Sequence, residues 1–72
     1  MTNTALLQAE IEKSGLKLKK IADFLGLSYD GLRLKINNER KFNAEEIQKM
    51  CTILGIKDLR VKEDIFFAQS VD

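Results

Sequence analysis

Residues 21–32 read Ile21-Ala22-Asp23-Phe24-Leu25-Gly26-Leu27-Ser28-Tyr29-Asp30-Gly31-Leu32, and this stretch decides the fold. Just upstream lies Leu18, and Leu18, Ile21, Ala22 and Leu25 keep the spacing i, i+3, i+4, i+7. That is the apolar stripe of an amphipathic helix, predicted over about 17–25. Gly26 ends it, because glycine takes the positive φ that reverses a chain. Ser28 is a good N-cap, and Asp30 suits the positive end of a helix dipole. A further helix therefore begins near Ser28, with Leu32 and Ile36 as its buried stripe. Ala22, small and four residues before Gly26, lets the two helices cross closely. Leu27 plugs the turn into the core and Leu32 anchors the second helix. Gly31 costs roughly 1 kcal/mol against alanine inside a helix, which points to close approach of another backbone.

Outward from this centre the pattern stays helical. Leu7 and Ile11, with Ser14, share one face of a segment over about 4–14, with Leu6 beside them. Asn3 or Thr4 can cap its start and Gly15 can end it. Downstream, Asn43 and Glu46 have the spacing of a capping box, and Phe42 and Ile47 that of a hydrophobic staple. Ile47, Met50, Cys51 and Leu54 then repeat at helical spacing up to Gly55. Glu45 and Glu46 are explained as capping and dipole residues rather than as an acid pair. Asp58 can cap a short fifth helix holding Leu59 and reaching towards Asp64. Ile65-Phe66-Phe67-Ala68 is apolar and β-prone, and reads instead as a short extended segment. The chain is thus expected to be an all-α bundle of about five short helices. One domain spans 1–72, with its core over 4–60 and a tail over 61–72.

Composition narrows the function classes. The chain has 72 residues, one cysteine, no histidine and no proline. A domain of that size buries only about 60% of its unfolded surface. Cys51 has no partner for an internal disulfide, so dimerisation is the remaining source of added stability. A lone cysteine without histidine provides neither a zinc site nor a nucleophile pair. Cys51 lies on an apolar stripe and is read as core. No phosphate loop or metal cluster is present, so the residues point away from an enzyme and from any cofactor. No apolar run approaches the roughly 18 residues of a membrane span. The N-terminus lacks a signal-peptide pattern, so the expectation is a cytoplasmic protein. Net charge is only +1, yet it is uneven. Residues 1–42 carry eight Lys/Arg against five Asp/Glu, a balance of +3; residues 43–72 carry four against six, a balance of −2. A basic front suggests one face for an anion.

Ile21-Ala22-x-x-Leu25-Gly26-Leu27-Ser28-x-x-x-Leu32 resembles the Cro/repressor-type (XRE-like) helix-turn-helix family of phage and bacterial transcriptional regulators. The resemblance runs on through Leu32-x-x-Lys35-Ile36-Asn37 and Glu46-Ile47-x-x-Met50-x-x-x-Leu54-Gly55-Ile56, covering about residues 4–60. It implies a helical bundle that binds palindromic double-stranded DNA as a homodimer, without catalysis. The chain differs from the family pattern at three positions. Lys17 stands where a Thr or Ser cap is usual, Asn38 where glycine is usual, and Phe24 where a polar residue is usual. Asparagine tolerates the left-handed conformation that glycine would take.

On that resemblance the first turns of the helix over about 28–37 enter the major groove. Tyr29, Asp30, Arg33 and Leu34 are the candidate base contacts, with Arg33 suited to guanine and Tyr29 to a thymine methyl or a phosphate. Lys17, Lys19, Lys20, Ser28, Asn37, Asn38, Arg40 and Lys41 are the candidate phosphate contacts. Three consecutive large apolar residues cannot all share one face. Ile65, Phe66 and Phe67 are therefore the expected homodimer contact, with Phe24 a further contributor. The alternative is a protein-interaction module on the same fold, such as an antitoxin or an antirepressor partner.

Overall fold

The computed structural model describes residues 1–68. Five helices follow in order: α1 (Thr4–Ser14), α2 (Leu18–Leu25), α3 (Tyr29–Ile36), α4 (Ala44–Leu54) and α5 (Leu59–Phe66). Among the described residues there is no strand. The expected all-α bundle of five short helices is the observed architecture. α2 packs on α3 and α4, and α1 packs on α3, α4 and α5. Leu7, Ile21, Leu32, Met50 and Ile65 are the largest fully buried side chains, one from each helix.

The junction of α2 and α3 follows from its residues. Gly26 adopts φ 75°. That turn lets the Leu27 N–H reach the Ala22 carbonyl at 2.9 Å and the Gly26 N–H the Asp23 carbonyl at 3.2 Å. These bonds satisfy carbonyls that a helix end otherwise leaves open. Leu27 packs against the core, and Ala22 is buried where α2 meets its neighbours. The Ser28 hydroxyl accepts the Gly31 N–H at 3.0 Å and so caps α3. Gly31 has a different neighbour from the one its sequence suggested. A Cβ there would meet the Ser28 hydroxyl at 3.0 Å, and no other backbone comes close.

α4 is closed at both ends. The Asn43 side chain accepts the Glu46 N–H at 2.8 Å, and the Glu46 carboxylate accepts the Asn43 N–H at 3.0 Å. At its other end Gly55, at φ 72°, lets the Ile56 N–H reach the Cys51 carbonyl at 2.8 Å. Cys51 is buried, and burial pushes its thiol pKa up against the opposing Lys62 charge.

The end of the chain corrects one expectation. Ile65 and Phe66 are not extended; they form the last turn of α5, which Asp58 caps through the Arg60 N–H at 2.8 Å. Both side chains enter the core, and Phe66 meets Phe42 edge to face with centroids 5.5 Å apart. Burial has overridden β-propensity, as it does whenever an apolar face is available to cover. Phe67 lies beyond the helix and stays 54% exposed.

Residues 1–3 form an arm that stitches two distant parts together. The Asn3 N–H donates to the Ile65 carbonyl at 2.6 Å, and the Ala68 N–H to the Met1 carbonyl at 3.0 Å. Asn38, at φ 65°, closes the arm from the other side. Its amide oxygen accepts the Thr2 N–H at 2.8 Å, and its amide nitrogen donates to the Thr2 carbonyl at 2.6 Å. The Thr4 hydroxyl donates to the Ile36 carbonyl at 2.6 Å, covering the end of α3. Asn3 itself caps α1 by accepting the Leu6 N–H at 3.1 Å.

Candidate nucleic-acid interface

Leu32 and Ile36 hold α3 against the core, which fixes what its other sides present. Tyr29, Asp30 and Arg33 are exposed, and Leu34 is half-buried. The three exposed residues form a group. The Arg33 guanidinium lies 3.8 Å from the Asp30 carboxylate, with its carbon 6.0 Å from the Tyr29 ring centroid. Leu34 is partly covered because the chain folds back after α3: the Glu39 and Arg40 N–H groups both donate to its carbonyl. Glu39 and Leu34 also line a common cleft with Asp30, Arg33 and Asn37.

The start of α2 is open. Lys17 occupies the cap position, and no side chain bonds the first turn. Its carbonyl receives the Lys20 and Ile21 N–H groups, so the Leu18 and Lys19 donors precede the first bonded turn. Lys17, Lys19 and Lys20 are all exposed. Among the described residues none of the three pairs with a carboxylate. Open backbone donors, the positive end of a helix dipole and three ammonium groups coincide here, a combination that attracts anions.

This start lies beside α3. Leu18, the first residue of α2, lines a cleft of about 200 Å³ together with Arg33, Ile36 and Asn37 of α3 and Gln8, Ile11 and Glu12 of α1. Leu18 thus brings the start of α2 beside Arg33, although Lys17, Lys19 and Lys20 do not themselves line the cleft. Sequence reading missed Gln8 and Glu12 because α1 shows only its apolar stripe in sequence. Their place at this cleft follows from α1 packing on α3.

Two expected phosphate contacts have other bonds. The Asn38 side chain is a correction: both of its amide atoms are bonded to Thr2, so it serves the arm rather than a phosphate. The Ser28 oxygen accepts the Gly31 N–H, although its own proton remains available to donate. Asn37, Arg40 and Lys41 are exposed around the end of α3. No protein-family model, curated protein or solved structure matches this chain.

The helix beneath this surface is pinned from behind. Lys35 leaves the exposed side of α3 and meets Glu46 at 2.5 Å, with side chains only 14% and 10% exposed. Burial alone would raise the Glu46 pKa. The hydrogen bonds from Lys35 and the Asn43 N–H, with the Lys35 charge, outweigh it and hold the carboxyl below its ordinary value. Glu46 thus serves twice, as the second half of the capping box and as the anchor of α3. The capping role was visible in the sequence; the ion pair across eleven positions was not.

The expected dimer contacts divide. Ile65 and Phe66 are corrected: at 1% and 4% exposure they belong to the protein's own core. Phe67 and Phe24 remain large exposed apolar side chains. Among the described residues no helix is long and apolar enough to cross a membrane.

Proposed function

We propose that this chain is a sequence-specific DNA-binding regulator of the Cro/repressor helix-turn-helix type. In this reading α3 enters the major groove and α2 lays its start on the adjacent phosphates. The observation that carries it is the uncapped, three-lysine start of α2 beside the exposed Arg33 and Asn37 of α3. A stability role does not account for that arrangement, because an uncapped helix start costs stability. An approaching phosphate would take up the open donors and the ammonium charge together. Arg33 supplies a fork of donors suited to guanine, and Tyr29 an apolar body with a polar tip. In this reading Asn37, Arg40 and Lys41, exposed around the end of α3, meet the same strand. Glu12 opposes this field with a carboxylate in the same cleft.

The protein acts by occupying an operator, in the cytoplasm of a bacterial cell, as a homodimer on two half-sites. Of the side chains expected at that contact, Phe67 and Phe24 are the two still exposed for it. The same exposed rings favour the second reading, a protein-interaction module such as an antitoxin, in which they dock on a different protein. Selection from random duplexes, followed by fluorescence anisotropy across a salt series, separates the two. The DNA reading expects an enriched motif and affinity that falls linearly with log salt concentration. Absence of both at low salt contradicts it.

A further inference from the structure

Asp30 is an odd residue to find on a surface meant for DNA. It adds a negative charge facing phosphates, and its side chain is 86% exposed, so the core does not require it. An exposed ion pair of this kind adds little to the stability of a fold. What it does is local. The Asp30 carboxylate lies 3.8 Å from the Arg33 guanidinium, whose carbon sits 6.0 Å over the Tyr29 ring centroid, so Asp30 and Tyr29 both neighbour it. A long, flexible arginine held on two sides loses less freedom when it binds. The guanidinium has five donors, and a contact at one end leaves others for a base.

We propose that Tyr29, Asp30 and Arg33 act as one reading unit in which Asp30 determines specificity; this rests on the DNA-binding reading above. Asp30 orients Arg33 towards a guanine and itself accepts a hydrogen bond from the amino group of a neighbouring cytosine or adenine. A carboxylate only accepts hydrogen bonds. In the major groove the donors are the cytosine N4 and adenine N6 amino groups, whereas guanine O6 and thymine O4 are acceptors. The carboxylate therefore favours amino-bearing bases beside the guanine and opposes bare acceptors. It lowers affinity for DNA in general and raises discrimination, a use of repulsion to exclude wrong sites.

This gives opposite signs for two measurements on one variant. Asp30→Asn keeps the shape, removes the charge and can both donate and accept. Selection from random duplexes with the wild type is expected to enrich a guanine flanked by cytosine or adenine. With Asp30→Asn, discrimination at the flanking pair is expected to fall roughly tenfold, while affinity for unselected duplex rises. Circular dichroism confirms that the variant is folded. An Asp30→Asn protein that selects the same sites with wild-type discrimination overturns the proposal and leaves the DNA-binding reading standing. So does a variant altered only in thermal midpoint, the outcome if Asp30 served only the dipole of α3. A wild type that binds no duplex at low salt overturns both.

Discussion

At the start of α4 the Asn43 side chain takes the Glu46 N–H, Glu46 takes the Asn43 N–H, and Lys35 closes over the same carboxylate. At the start of α2 no side chain bonds the first turn, and Lys17, Lys19 and Lys20 stand in solvent. Both helix starts offer the same backbone donors and the same dipole sign. In α4 they are satisfied from within by a carboxylate. In α2 the protein supplies cations instead, which a helix N-terminus repels. The difference teaches that α4 is built to hold α3 in place, whereas α2 leaves its first donors without a side-chain cap, as the proposed phosphate contact would require.

Breaking the closed start should have the largest effect. Glu46→Ala removes half the capping box and leaves Lys35 poorly exposed without its partner. A cost of roughly 3 kcal/mol is expected, read as a lower urea midpoint. That is a large fraction of the stability of a domain this small. A midpoint within error of the wild type would mean that α3 is not anchored through Glu46.

The same carboxylate gives a pH dependence. The folded-state pKa of Glu46 lies below its ordinary value of 4.5, so the unfolded chain binds its proton first as pH falls. Its contribution is fully present above about 4.5 and is lost as pH drops through the depressed folded value. Urea melts between pH 6 and pH 3 should show a decline that Glu46→Gln reduces.

Closing the open start should have a smaller effect on stability, and of opposite sign to its effect on binding. Lys17→Asp installs a cap and should raise stability by roughly 0.5–1 kcal/mol. It should also weaken binding to all duplexes alike and lower the salt slope by about one. Higher stability with undiminished DNA affinity would remove the start of α2 from the interface.

The two starts also mark what could be read in the sequence. The capping box and the Gly26 turn are local, fixed by residues within a few positions of one another, and both were legible. So were the stripes of α1 to α4, because burial repeats with helical period; that of α5 was not, since Leu59 is exposed and Ile65 and Phe66, read as extended, form its buried face. Lys35 looked like any solvated lysine, because its partner is brought near only by α3 and α4 folding together. Asn38 was read correctly as left-handed but given to phosphate, since nothing in sequence links it to Thr2. Phe66 and Phe67 differ in fate although they are adjacent. Successive helical residues point about 100° apart, so the face that buries Ile65 and Phe66 leaves Phe67, at the end of the helix, outside.

Amide chemical-shift mapping during titration with a selected duplex tests the central claim most directly, because it sees both helix starts in one experiment. The account predicts that Leu18, Lys19 and the Tyr29–Arg33 stretch shift strongly, that added salt reverses the shifts, and that Asn43–Glu46 changes little. Shifts confined to the surroundings of Phe24 and Phe67, or none at any salt concentration, would contradict it.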